Sequence, residues 1–289
     1  MRFWRGSDCS ERACLFYSLC EKPLATNISK LEKKLLHYTG KAIHDFKMIE
    51  NGDRVLVALS GGKDSFVMLQ ILRLLEMRAR ARFEIAVLMV DQGFPGWDGE
   101  KAVKWLEEKE IPHTVIHEKI YEIVKSKVGD GSQFSYCPLC SRLRRGVIYR
   151  YARENNFNKV ALGHHRDDLI VSLMMFMLYN GALRSMPPKF LTDDKKLIVI
   201  RPLAYCQERD IIGYADECKF PLVSSSPCQF KENLMRKRVA KLIADLALDN
   251  PKVPSNILRS LQNVCPSQLM DRKIWDFLSL KTSENDPSN

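Results

Sequence analysis

Residues Arg54–Met68 read RVLVALSGGKDSFVM, and this stretch decides the fold. Val55 to Leu59 form an unbroken aliphatic run, the pattern of a strand buried on both faces. The run gives way to Ser60-Gly61-Gly62-Lys63-Asp64-Ser65 and then to an apolar segment that opens a helix. The adjacent glycines permit backbone angles closed to other residues and let an anion approach the main chain. A helix beginning at Asp64/Ser65 aims free N–H groups and the positive end of its dipole at the same point. Lys63 adds a full charge, so the hexapeptide makes a nest for phosphate. It is not a Walker A loop, whose glycines are separated by four residues. Two glycines alone would suggest an ordinary tight turn; the whole hexapeptide between a strand and a helix points to the phosphate site.

The flanking sequence repeats the strand–helix alternation. Ser29-Lys30-Leu31-Glu32 matches a capping box, and Leu31, Leu35, Ala42, Phe46 and Ile49 continue at helical spacing, giving a helix over 29–49. Further elements are expected as helix 64–78, strand 84–90, helix 98–109, strand 113–117, helix 119–127, strand 159–162 and helix 166–179. Strands and helices in this order predict an α/β fold, a parallel twisted sheet flanked by helices. Ligands of such sheets sit beyond the carboxyl ends of the strands. The 60–65 loop, Asp91 and the 163–168 loop all fall at such ends and should share one crevice. Beyond 196 the pattern changes to one strand (196–203) and several short helices, with Pro251 and Pro254 setting off the last. The expected division is an extension over 1–26, a main domain over 27–250, C-terminal helices over 251–280 and a polar tail over 281–289.

Lys and Arg exceed Asp and Glu by 45 − 35 = 10 in the 289 residues, and this basic excess suits a polyanionic partner such as RNA. No apolar run reaches the roughly 18 residues that would span a bilayer. The N-terminal segment lacks the apolar core and cleavage site of a signal peptide, so the expected compartment is the cytosol. Nine cysteines (9, 14, 20, 137, 140, 206, 218, 228 and 265) without an export signal argue against a disulfide framework and toward metal or catalytic roles for clustered thiols. Cys9, Cys14 and Cys20 show no C-x-x-C spacing. Cys206 and Cys218 lie in an apolar-periodic stretch and read as core or surface thiols.

Gly163-His164-His165-Arg166-Asp167-Asp168 follows a short apolar strand. Asp167 and Asp168 beside two imidazoles could hold Mg²⁺ and order a triphosphate, since magnesium takes carboxylate and phosphate oxygens. They also suit a helix start, where the dipole favours Asp. Cys137-Pro138-Leu139-Cys140 precedes what reads as the start of a basic helix bearing Arg142, Arg144, Arg145 and Arg150. C-x-x-C alone fits zinc, a redox dithiol or iron–sulfur. No second C-x-x-C completes a zinc ribbon, and the pair does not follow a first βαβ strand as a redox dithiol would. A distant single cysteine could complete the site, and Cys228, also ahead of a basic helix, is the best candidate. Three thiolates on a four-iron cluster would leave one iron open, and zinc remains an equal choice on spacing. The second basic run (Lys231, Arg236, Lys237, Arg238, Lys241) shares its helix with an apolar stripe of Met235, Val239, Leu242 and Leu246, so one face should pack while the other meets RNA phosphate.

The hexapeptide SGGKDS resembles the pyrophosphate loop of AMP-forming N-type ATP pyrophosphatases. With YTGKAIHDFKMIENGDRVLVALSGGKDS, CPLCSRLRRGVIYR, ALGHHRDD and MPPKFLTDDKKLIVIRPLAYCQERDI, the chain resembles the tRNA-cytidine(32) 2-sulfurtransferase family over about residues 30–247. The resemblance implies ATP and Mg²⁺ activating the C2 oxygen of cytidine 32 in tRNA. It implies sulfur carried on a [4Fe-4S] cluster with an open iron and three ligands, Cys137, Cys140 and Cys228. It implies nucleotide phosphates bound by Ser60, Gly61, Gly62, Lys63, Asp64 and Ser65, with Asp91, Gly163 and His164 beside the nucleotide. Arg144 and Asp167 or Asp168 take catalytic places. A cysteine desulfurase as sulfur source and a homodimer are also implied. One departure is local: the family continues C-N-L-C-G-S-Q after the third cysteine, whereas this chain reads Cys228-Gln229-Phe230-Lys231 and lacks the extra thiol. The competing readings are a related synthetase using an amine nucleophile, and a non-catalytic zinc-containing RNA-binding protein.

Overall fold

The computed structural model describes residues 28–78, 81–128, 136–223 and 231–282. The extension expected over 1–26, Cys228 and the tail beyond 282 lie outside the described residues. Helix α1 (Lys30–Asp45) starts where Ser29 Oγ accepts the Glu32 N–H at 3.0 Å, half of the expected capping box. The Glu32 carboxylate instead accepts a hydrogen bond from the Tyr214 hydroxyl at 3.1 Å. The order then runs β1 (Arg54–Ala58), α2 (Lys63–Arg78), β2 (Glu84–Asp91), α3 (Glu100–Glu108), β3 (His113–His117), α4 (Ile120–Val128), α5 (Tyr136–Glu154) and β4 (Lys159–Ala161). It continues with α6 (Arg166–Asn180), β5 (Lys189–Leu191), β6 (Ile198–Ile200), α7 (Glu208–Cys218), α8 (Lys231–Asp249), α9 (Val253–Ser260) and a 3₁₀ turn at Pro266–Gln268.

The six strands form one sheet in the order β3-β2-β1-β4-β6-β5. All pairs are parallel except β5–β6, an antiparallel edge that the sequence reading did not anticipate. β1 is central, and Val55, Leu56 and Val57 are fully buried because helices cover both faces. Alternation divides them. Val55 and Val57 pack with α1, α2 and α7 residues such as Leu35, Phe66, Leu69 and Ile211. Leu56 packs on the other face with Val160, Val199 and the α5 residues Ile148 and Ala152. The pairing register aligns Val87, Val57, Ala161 and Ile200 in one row across four strands. A third apolar group, Ile170, Val239 and Ile243, joins α6 to α8, with Ile257 and Leu258 of α9 against it.

Four expectations change in detail. The C-x-x-C lies inside the first turn of α5 rather than ahead of the helix, because Pro138 is tolerated where the N–H groups have no intrahelical acceptor. The strand expected over 196–203 contracts to 198–200; Pro202 cannot donate to a ladder, and Leu197 closes a turn with Thr192. On α8 the buried seam is Val239 and Ile243, while Leu242 and Leu246 are exposed. Pro254, expected to separate helices, stands in the first turn of α9.

β4 carries a lysine into the core. Lys159 is 2% exposed, and its ammonium lies 2.7 Å from Asp53, which also accepts a hydrogen bond from Asn158 Nδ2 at 2.7 Å. Removing one partner of a buried pair leaves the other charge uncompensated and costs about 3–5 kcal/mol. Lys159→Met should therefore lower unfolding free energy by about that amount in urea titrations; a loss below about 1 kcal/mol would show Asp53 satisfied by its neutral donors alone.

Candidate functional site

The carboxyl ends of β1, β2, β4 and β6 open on one side of the sheet, and α2, α5, α6, α7 and α8 contribute residues around them. The loop after β1 is braced from within: Ser65 Oγ donates to the Gly62 carbonyl at 2.8 Å, and the Ser60 N–H donates to Ser65 Oγ at 3.2 Å. Gly61 has φ +85°, and an added Cβ would stand 2.4 Å from Val223 Cβ, so both its backbone and its surroundings require glycine. The same pair is joined by the Val223 N–H donating to Gly61 O at 3.0 Å. α2 begins at Lys63, which directs its first N–H groups at the loop. Lys63 Nζ lies 3.1 Å from Asp64 Oδ1 and 3.1 Å from Glu208 Oε1 at the start of α7. Those carboxylates together hold its pKa above the ordinary lysine value against the opposing effect of burial. Lys63 is thus an ammonium restrained at the loop by carboxylates.

The loop after β4 meets the loop after β1 directly. A Cβ on Gly163 would lie 3.2 Å from both the Cα and N of Ser65. Next to it, His165 is 4% exposed and its N–H donates to Asp168 Oδ2 at 3.1 Å, opening α6. Asp64, Asp167 and Asp168 place carboxylate oxygens 3.5–3.8 Å from the His165 ring. Asp167 accepts from Arg166 through Oδ1 at 2.8 Å and from the Glu208 N–H through Oδ2 at 2.8 Å, so it ties α6 to α7. Asp168 is engaged through Oδ2. A cavity of about 410 Å³ is lined by His165, Asp167, Asp168 and Glu208 on its acidic side and by Arg236 and Lys237 of α8 on its basic side.

His164 has a different setting. Burial, followed by the fields of Arg201, Arg144 and Arg236, pushes its pKa down to about 3, so the imidazole is neutral near pH 7. Arg144, one turn after Cys140 on α5, is drawn down by its own burial and held up by Cys140. The Cys140 thiol donates to Gln92 Oε1 at 3.0 Å, at the end of β2. Asp91 itself is occupied by the turn: its oxygens accept the Gly93 N–H at 2.9 Å and face His117 Nδ1 at 3.0 Å. Gln92, immediately after β2, was not among the expected site residues, yet it is the one at this strand end that meets the thiol.

The loop 60–65, Gly163, His164, Asp167, Asp168, Cys140 and Arg144 thus stand around one sheet edge. Cys137 falls in the first turn of α5, and Cys228 lies outside the described residues. Among the described residues no group of three metal-ligating side chains gathers. Cys206 is a core thiol, raised to about 12 by burial and 3.4 Å from Thr39 Oγ1.

A family model described as a PP-loop domain matches residues 28–243. A tRNA-cytidine(32) 2-sulfurtransferase of Legionella pneumophila (strain Paris) is 58% identical over 258 residues, 89% of this chain and 90% of that protein. The chain belongs to the tRNA-cytidine(32) 2-sulfurtransferase family. It is accordingly an enzyme of the transferase class. A second relative of the same name, from Coxiella burnetii (strain RSA 493), is 55% identical over 251 residues, 87% of this chain and 97% of that protein. Among solved structures, the U34-tRNA thiolase NcsA from Methanococcus maripaludis with its [4Fe-4S] cluster superposes with a TM-score of 0.64 at 23% identity, covering 81% of each chain. At that identity the likeness is one of fold.

Gly163→Ala tests the contact between the two loops. The clash is with backbone, so the loop after β1 must move; we expect ATP affinity to fall about tenfold or more in calorimetric titration, with far-ultraviolet dichroism unchanged. Unaltered affinity would show that the loops need no such approach.

Proposed function

We propose that the protein thiolates cytidine 32 of tRNA at C2, using ATP to activate the base. The observation that carries this reading is the meeting, on one sheet edge, of a phosphate-binding loop at the end of β1 and the Cys140 thiol beside the end of β2. The names of the relatives and the cluster of the archaeal thiolase support it.

In this reading the C2 oxygen of cytosine attacks the α-phosphorus of ATP, the α–β phosphoanhydride bond breaks, and pyrophosphate leaves. The N–H groups at the start of α2 hold the phosphates, and Lys63 exchanges Glu208 for them. Asp168 is placed to hold Mg²⁺ better than Asp167, whose two oxygens are both engaged; the ion, when bound, spreads the charge of the triphosphate. Arg144 supplies a cation near the thiol-bearing turn, where the activated oxygen becomes a leaving group. Sulfide-level sulfur then forms a bond to C2 as the bond from C2 to oxygen breaks, and AMP departs with the oxygen.

Sequence position supports a cluster: Cys137 and Cys140 stand three residues apart at the start of one helix, and residue Cys140 is only partly buried. With Cys228 they would hold a [4Fe-4S] cluster, which would supply a place to bind the sulfur before transfer. We further propose that a cysteine desulfurase supplies this sulfur as a persulfide, which a two-electron thiol reductant brings to the sulfide level before transfer, that the protein works in the cytosol as a homodimer, and that residues 27–250 form the catalytic unit, with 1–26 and 251–289 as appendages.

Mass spectrometry of tRNA from cells lacking the protein should show loss of 2-thiocytidine at position 32; its persistence would contradict the proposal. Two substitutions separate the two halves of the site. Cys228→Ala should remove the brown absorbance of anaerobically purified protein while ATP affinity stays the same. Lys63→Ala should weaken ATP binding by roughly ten- to a hundredfold while iron content is unchanged. Retained absorbance in the first variant would assign the third ligand elsewhere, and unchanged affinity in the second would remove Lys63 from the phosphate site.

A further inference from the structure

Arg201 is a buried charged residue for which the chemistry above has no task. It is 7% exposed, directly after β6. Its Nη1 donates to the Pro187 carbonyl, its guanidinium lies 5.2 Å from the Phe190 ring centroid, and its Nε is buried with no hydrogen-bond partner. A buried guanidinium N–H left unanswered costs stability unless an acceptor completes it.

The register gives its direction. Ala161 pairs with Ile200, and the Leu162 N–H donates to Ile200 O at 3.0 Å, so Leu162 and Arg201 share the next row of the sheet. Ile200 and Ala161 pack on the α2 face, and alternation turns Arg201 to the α5 face. Tyr149, Arg145 and Asp168 are the groups whose fields act on it, and it is the largest charged influence on His164, ahead of Arg144 and Arg236. The surroundings are therefore a neutral imidazole, a tyrosine, one carboxylate and cations from two helices.

We propose that Arg201 seats one backbone phosphate of the tRNA substrate and so positions the target nucleotide. This rests on the tRNA reading above. The choice of an RNA phosphate over a nucleotide phosphate follows from the faces of the sheet. The phosphates of ATP already have the loop, the start of α2 and Lys63, whereas Arg201 lies on the α5 face with the basic run. Exposed cations make a track on the two helices whose arginines act on His164: Arg142 and Arg145 on α5, and Arg236, Lys237, Arg238 and Lys241 on α8. A polyanion following that track would have its innermost phosphate at Arg201.

The test is the salt dependence of binding between an unmodified tRNA transcript and the full-length protein, measured with ATP affinity in parallel. Arg201→Gln should reduce the slope of log K against log salt by roughly 0.7–1, and should weaken binding about five- to tenfold at physiological salt, with ATP affinity retained. Arg201→Lys should restore the slope. An unchanged slope with lower ATP affinity would reassign the arginine to the nucleotide, and an unchanged slope with lower thermal stability would make it a strut; either overturns the proposal. Should Arg201→Gln fail to fold, Arg201→Met, which keeps the aliphatic stem, should reduce the slope by the same amount, and an unaltered slope there overturns the proposal. A wild-type protein that does not bind tRNA would refute the thiolation reading as well, whereas tight wild-type binding with insensitive variants refutes this inference alone.

Discussion

The contact on which the crevice depends is between Gly163 and the first turn of α2. Parallel pairing of β1 with β4 brings the two strand ends side by side, and the missing side chain lets the loop after β4 come within 3.2 Å of the Ser65 backbone. That approach sets His164, His165 and the two aspartates next to the phosphate nest instead of several ångströms away. Asp167 then carries the constraint onward, joining α6 to the start of α7, from which Glu208 reaches Lys63. One backbone approach thus fixes the relative positions of four elements.

The two faces of the sheet divide the labour. Row by row, side chains alternate between the large core under α1, α2 and α7 and the smaller one under α5. The α2 side presents N–H groups and Lys63, suited to the phosphates of a small nucleotide. The α5 side presents Cys140, Arg144, Arg145 and Arg201, suited to a thiol-borne reaction and an extended polyanion. The thiolation proposed above, which passes AMP to a base in RNA, needs both at one edge, and the parallel strands supply such an edge because their carboxyl ends point the same way.

Much of this was legible in the residues. Val55–Leu59 followed by SGGKDS left little choice but a buried strand, a phosphate turn and a helix, and β1 and α2 are found there. Short elements were not legible: β5 is three residues long, too few for a period, and lies on the edge as an antiparallel strand. On α8 two apolar stripes overlap, and periodicity cannot say which faces a neighbour; α6 and α9 select Val239 and Ile243 over Leu242 and Leu246. Asp91 reads as a carboxylate at a strand end, and there its oxygens meet Gly93 and His117; Gln92, which meets the thiol, carries no charge to mark it in the sequence. Arg201 was hidden in IVIRPL as a lone charge. The available signal was its place immediately beyond an apolar strand, where a buried cation faces a crevice.

The central claim is that iron held by thiols and the phosphates of ATP share one side of this sheet. The most direct measurement is an anomalous difference map at the iron edge from crystals grown without oxygen in the presence of ATP. The account predicts iron density bounded by Cys137, Cys140 and Cys228, facing the nucleotide held by residues 60–65. Iron seated away from the nucleotide, or Cys228 turned to another part of the surface, would contradict it.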